Sequence, residues 1–248
     1  VHALFFVSLP PPCDTVRHGM KVILFGATGM VGEGVLRECL EDARVQSVLV
    51  IGRSSNRLTD PKIREILHTD FLDFKPIQSQ FAGYDACFFC LGVSAAGKSE
   101  DDYRRLTYDV TLAAAEAIVA VSPDLTFCYV SGEGTDSTEH GRIMWARVKG
   151  KTENALLRMP FKAAYMFRPG YIQPLKGVRS KTGWYQAIYN VIGPLYPVLR
   201  RLVPRYVTTT VNVGRAMIQV AANGYSKQIL ATNDINLVAA TYNASREP

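Results

Sequence analysis

An α/β doubly wound parallel sheet is the fold class that the sequence predicts, on three observations. Short apolar runs alternate with stretches of helical periodicity between residues 21 and 167, the pattern of parallel strands joined by crossover helices. The first run, 21–25, meets glycines at 26, 29 and 32 just before a helix begins. Glycine and polar residues then recur at the ends of the later runs, where an open parallel sheet gathers its ligand site.

The 248 residues, 48% of them apolar, suffice for one such domain with a full core. The expected organisation is an N-terminal extension over 1–19, a nucleotide-binding core over 20–170, and a C-terminal substrate or lid region over 171–248 that completes the same domain. Residues 1–19 hold Pro10-Pro11-Pro12 and an apolar segment with no basic cluster before it. That segment is too short for a membrane span and lacks the flanks of a signal peptide.

The first strand, 21–25, leads into Gly26-Ala-Thr-Gly-Met-Val-Gly32. Gly26 permits a sharp turn, Gly29 lets backbone approach a pyrophosphate, and Gly32 lets the helix pack on the strand. The spacing is GxxGxxG, and the strand before it and helix after it are the context that a dinucleotide-binding turn requires.

The second strand, 47–51, ends in Gly52-Arg53-Ser54-Ser55-Asn56-Arg57. Arg53 stands where an acidic residue would hold the ribose 2′-hydroxyl of NAD. Its planar fork suits a 2′-phosphate, so NADP is the preferred cofactor, with NAD as the other option. Arg57 is placed to assist. The third strand, 63–68, is followed by Asp70, which either accepts from an adenine amino group or caps a local turn. The fourth, 86–91, ends at Leu91 and Gly92, beside the cofactor. A long helix over 100–121 shows Leu106, Val110, Ala113, Ala117 and Val121 on one apolar face. The fifth strand, 126–130, ends at Ser131; a helix over 142–159 carries Trp145 and Lys149; the sixth strand, 163–167, ends at Arg168-Pro169-Gly170.

Five irregularly spaced cysteines make no disulfide framework and fit a reducing, cytoplasmic setting. Cys87 and Cys90 form a C-x-x-C on a strand, where residues three apart point to opposite faces, so they are expected to be structural. The four histidines lack metal-ligand spacing. The charge is uneven. Residues 154–233 contain 11 basic residues and no acid, while the rest of the chain is net −5. Such asymmetry points either to an anionic partner or to a solvated basic surface. No nucleic-acid-binding motif accompanies it.

These motifs together resemble the atypical short-chain dehydrogenase/reductase superfamily, with its Tat-interacting-protein-like and NmrA-like members the most similar. The carrying segments are the glycine turn, Cys90-Leu-Gly-Val-Ser94, Val130-Ser131, Val148-Lys149-Gly150 and Phe167-Arg-Pro-Gly170. The resemblance implies a Rossmann fold related to the NAD-dependent epimerases and dehydratases, NAD(P) binding, and a carbonyl or alcohol substrate. It brings Thr28, Met30, Val31, Lys149 and Arg168-Pro169-Gly170 into the cofactor site with the residues above. It also implies catalysis by a Ser and by a Tyr four residues before a Lys. Ser131 and Lys149 match, but Trp145 stands in the tyrosine position. An indole N–H donates without ionising usefully, so Trp145 can orient a carbonyl but not exchange its proton. Tyr103, Tyr108, Tyr171, His140 and water are the candidate replacements.

Residues 184–202 form an aromatic, apolar segment broken by Gly193, Pro194 and Pro197. Three roles compete for it: a lid over a substrate that is apolar or anionic, a homodimer contact, or peripheral contact with an anionic membrane. The leading functional expectation is an NADP-preferring oxidoreductase. The alternative is a catalytically weak NADP(H) sensor that acts through a protein partner.

Overall fold

A computed structural model describes residues 19–56, 58–176, 201 and 203–244. The expected extension, Arg57 and nearly all of the aromatic segment therefore lie outside the described residues. Seven parallel strands form one sheet in the order β3-β2-β1-β4-β5-β6-β9. They are β1 (Met20–Phe25), β2 (Val45–Gly52), β3 (Ile63–Leu67), β4 (Ala86–Phe89), β5 (Thr126–Val130), β6 (Ala163–Arg168) and β9 (Ile229–Ala231). The order reverses between β1 and β4, which makes that crevice the topological switch point.

Alternation along β1 divides the core. Val22 and Leu24 face a cluster with Val35, Leu36 and Cys39 of helix α1 (Met30–Glu41). Ile23 and Phe25 face the other side, among Phe71, Phe74, Phe81 and Phe89. Each strand of a sheet covered on both faces must be apolar throughout, which is why these runs show no polar alternation. Cys87 lies in the second cluster and Cys90 packs against the first, so the C-x-x-C thiols diverge as expected. Burial pushes the Cys39, Cys87 and Cys128 thiols up.

The long helix is not uniform. It runs as α2 (Glu100–Arg104), a π segment (Arg105–Asp109) and α3 (Val110–Val119). The wider π turn shifts the helical phase. The buried face of α3 is therefore Val110, Thr111, Ala114, Ala115 and Ile118, while Leu106, expected on the core face, is 41% exposed. Helix α4 (Met144–Arg158) lies close to its expected bounds.

Beyond Gly170, β7 (Tyr171–Gln173) pairs with β8 (Val207–Thr209), and helices α5 (Thr210–Asn223) and α6 (Thr232–Ala244) follow. Between these two helices the chain returns to the main sheet through β9, which pairs with β6. Helix α5 packs on α1, and a Cβ on Gly34 would lie 2.5 Å from Thr210 Cβ.

Part of the charge asymmetry is answered inside the fold. Buried Glu38 pairs with Lys176 at 2.6 Å and with Arg215 at 2.9 Å. Lys227 pairs with Asp234 at 2.7 Å, and Arg168 pairs with Glu153. Four of the eleven basic residues in 154–233 are thus answered by carboxylates outside that stretch. Among the described residues, no helix is long and apolar enough to cross a membrane.

Candidate functional site

The carboxyl ends of β1, β2 and β4 converge on a groove. Gly26 adopts φ +82°, and a Cβ there would lie within 2.8 Å of the Cys90 carbonyl and the Leu91 nitrogen. A Cβ on Gly32 would stand 2.1 Å from the Gly26 carbonyl oxygen, so only glycine lets α1 sit this close to the turn. At Gly29 the space is open, the nearest atom being 3.4 Å away. Gly29 caps α1, and no side chain bonds the first amides of the helix. The first amides of α1, at Met30 and Val31, thus have no side-chain acceptor among the described residues, and Thr28 just before the cap lines the groove.

From the turn a narrow cleft of about 80 Å³, lined by Gly26, Thr28 and Arg53, runs alongside Leu91 and Phe71. It adjoins a cavity of about 630 Å³ bounded by Arg53, Asp70, Leu91, Val93, Lys98, Arg105 and Val110. Asp70 caps a local turn, its Oδ1 accepting from Leu72 N at 2.9 Å, and the residue also lines the cavity. Arg53 is exposed and makes no hydrogen bond or ion pair among the described residues. Gly92 is exposed beside Leu91 but bounds neither space.

A second cluster forms at the ends of β5 and β6. The loop after β5 runs beside β6, with Ser131 N donating to the Phe167 carbonyl and Glu133 N to the Pro169 carbonyl, each at 2.9 Å. Gly170 N donates to Thr232 Oγ1 at 2.8 Å. On the other side the loop rests on α4: a Cβ on Gly150 would collide with the Asp136 carbonyl, and Asn154 Nδ2 donates to the Ser137 carbonyl at 2.9 Å. This packing brings Lys149 to Ser131. Lys149 Nζ donates to the Ser131 backbone carbonyl. Burial lowers its pKa to about 8, against the opposing pull of Glu153.

The Ser131 hydroxyl is committed elsewhere. It donates to Glu153 Oε1, lies 3.1 Å from the Phe167 carbonyl oxygen, and belongs to a residue only 4% exposed. Arg168, read from the sequence as a cofactor residue, is held by the same carboxylate and by Ser137 Oγ. Glu153 was missed by the sequence reading. Its signal was a carboxylate one helical turn beyond Lys149, in phase with the buried positions of α4. Trp145 makes no hydrogen bond among the described residues; its ring packs on the loop, 3.4 Å from where a Gly134 Cβ would be.

The candidate replacements for a catalytic tyrosine are scattered. Tyr103 is buried; Lys151 Nζ lies 5.1 Å from the Tyr108 ring; the Tyr171 hydroxyl donates to Gln173 Oε1 at 2.8 Å; His140 is exposed. Among the described residues no cluster of His, Cys, Asp or Glu could hold a metal ion.

Solved structures share this architecture. Bordetella bronchiseptica WbmF, determined with NAD+, superposes with TM-score 0.64 at 14% identity, covering 93% of this chain and 79% of its own. A short chain dehydrogenase family protein from Francisella tularensis gives 0.61 at 10% identity, covering 84% and 93%. The chain has the α/β Rossmann-like fold of these structures.

In sequence the chain resembles HTATIP2 of Rattus norvegicus, at 26% identity over 162 residues, 64% of this chain and 65% of that protein. It also resembles the mitochondrial protein FMP52 of Meyerozyma guilliermondii, at 24% over 237 residues, 91% and 97% of the two chains. FMP52-1 of Scheffersomyces stipitis matches at 26% over 155 residues, 62% of this chain and 67% of its own. The chain thus spans about two thirds of the first relatives it matches. No protein-family model matches it. The resemblance to Tat-interacting-protein-like members of the atypical group, read from the motifs, agrees with these relatives. The FMP52 proteins are mitochondrial by name, so they lend no support to a cytoplasmic location.

Proposed function

We propose that this chain is an NADP-preferring oxidoreductase acting on a carbonyl or alcohol substrate. The observation that carries the reading is the continuous groove from the open glycine turn, with its helix amides uncapped by side chains, to the unpaired Arg53. The residues present fit a dinucleotide: Gly26 and Gly32 hold a turn that any side chain would fill, and Gly29 leaves room for a phosphate. Arg53 would take the 2′-phosphate, and Asp70 and Leu91 would border the adenosine.

Bound reduced nicotinamide supplies a hydride when the substrate is a carbonyl. The chain must then deliver a proton to the resulting alkoxide oxygen. Trp145 has no proton to exchange, and the Ser131 hydroxyl is occupied by Glu153. Lys149 Nζ holds a proton with a pKa of about 8, at the end of the sheet where the reaction would occur. It is the group assigned here to hold the nicotinamide ribose and to retain or release that proton. Trp145 flanks the same loop and orients the substrate.

The test is titration with NADPH and NADH, followed by nicotinamide fluorescence, then a screen of carbonyl compounds for NADPH oxidation. Tight, selective NADPH binding with turnover that is lost in Lys149→Ala supports the reading. Binding without turnover points to a sensor. Binding of neither nucleotide removes the cofactor site altogether.

A further inference from the structure

Arg53 is not the only cation on the large cavity. Lys98, in the connection after β4, and Arg105, at the start of the π segment, line it as well. Neither side chain makes a hydrogen bond or an ion pair among the described residues. Nearby cations are paired: Arg104 with Asp109 at 3.1 Å on the same helical stretch, and Arg147 of α4 with Glu100 at 2.5 Å.

The carboxylates of the cavity are already engaged. Asp102 Oδ2 accepts from Ser99 Oγ at 2.6 Å while Asp102 N donates back to that hydroxyl, a reciprocal cap at the start of α2. Asp70 accepts the Leu72 amide. Arg53, Lys98 and Arg105 thus share the cavity with Asp70 and Asp102, and none of the three cations lies within ion-pair distance of a carboxylate among the described residues. Asp102, Arg105, Leu106 and Val110 line this wall at the spacing of one helical face, with the π segment beginning at Arg105. Leu106, 41% exposed, offers an apolar surface at the cavity edge.

We infer that Lys98 and Arg105 form a second cationic arm that, with Arg53, selects a ribose 2′-phosphate from two separate elements of the fold. The inference rests on the proposed dinucleotide site and deepens it. A phosphomonoester dianion offers three acceptor oxygens and so accommodates donors from more than one direction. Arg53 approaches from the end of β2, while Lys98 and Arg105 approach from beyond β4, across the switch point. A nucleotide without the 2′-phosphate would leave all three cations unanswered, so discrimination grows with their number.

The experiment measures dissociation constants of the full chain for NADPH, NADH, adenosine 2′,5′-bisphosphate and AMP, at two salt concentrations. The variants are Lys98→Met, Arg105→Gln and, as a control on the same helix, Arg104→Gln. Each of the first two should weaken NADPH and adenosine 2′,5′-bisphosphate by about tenfold and leave NADH and AMP within about twofold, with a shallower salt dependence. Arg104→Gln should change neither. Equal weakening of both nucleotides, or no change in either, overturns the second arm. If the unaltered chain binds NADPH selectively and is insensitive to both substitutions, this inference alone falls. If the unaltered chain binds neither nucleotide, the dinucleotide site falls first.

Discussion

Arg168 and Glu153 pair inside the protein, the glutamate side chain wholly buried and the arginine 18% exposed. The pair joins the end of β6 to the middle of α4, and Glu153 also takes the Ser131 hydroxyl. Breaking it leaves a buried guanidinium without its partner. Glu153→Ala is therefore expected to cost about 3–5 kcal/mol, a fall of roughly 10 °C in Tm for a chain of this size. Ser131→Ala, which leaves the ion pair in place, should cost about 1 kcal/mol. Thermal unfolding at pH 7 checks both, and equal effects would show that the ion pair contributes nothing beyond the hydroxyl.

Lys149 gives a pH signature. Its pKa is lowered to about 8 by burial, so between pH 8 and its ordinary value the unfolded chain binds more protons than the folded one. Stability contributed by this group rises with pH through that window, and below pH 8 the full cost of the buried ammonium is felt. Lys149→Met should be more stable than the parent at pH 7, with the difference shrinking by pH 9.5. Urea midpoints at the two pH values measure it. A variant destabilised equally at both would show that the hydrogen bond to Ser131 outweighs the desolvation.

The glycine turn separates packing from binding. Gly32→Ala places a Cβ 2.1 Å from the Gly26 carbonyl oxygen and should lower Tm by several degrees while weakening both nucleotides. Gly29→Ala meets nothing closer than 3.4 Å and should leave Tm nearly unchanged while weakening NADPH and NADH alike. Calorimetry and fluorescence titration on the same two variants distinguish the roles.

Arg53→Ala should weaken NADPH by about tenfold or more and leave NADH within about twofold, the loss of a charge-assisted contact to one phosphate. An unchanged ratio of the two affinities would remove Arg53 from the specificity set.

The sheet through β6 was legible because each buried strand is an apolar run between turn residues, and β5 ends at Val130 as expected. The glycine turn was legible from spacing and context together. The C-terminal strands were not: β7, β8 and β9 have three residues each, too few to show a period. The π segment was invisible because it substitutes one helical repeat for another within an apolar helix, and it misplaced Leu106. Glu153 was passed over because carboxylates are rarely buried, and only its partners Arg168 and Ser131, 15 and 22 residues distant, explain its position. The basic stretch invited an external anion because sequence shows charges without their three-dimensional neighbours.

Those internal ion pairs bear on how the protein is made. Glu38 belongs to the first helix, yet its charge is answered by Lys176 and Arg215, 138 and 177 residues away. The edge of the main sheet likewise waits for Ile229–Ala231, and α1 for α5. A ribosome that has released only the nucleotide-binding half holds a glutamate with no cation and a helix face with no cover. The contacts that complete this half come from residues made long after it. Synthesis must nearly finish before the first helix finds its permanent place, and until then the emerging chain depends on protection from aggregation.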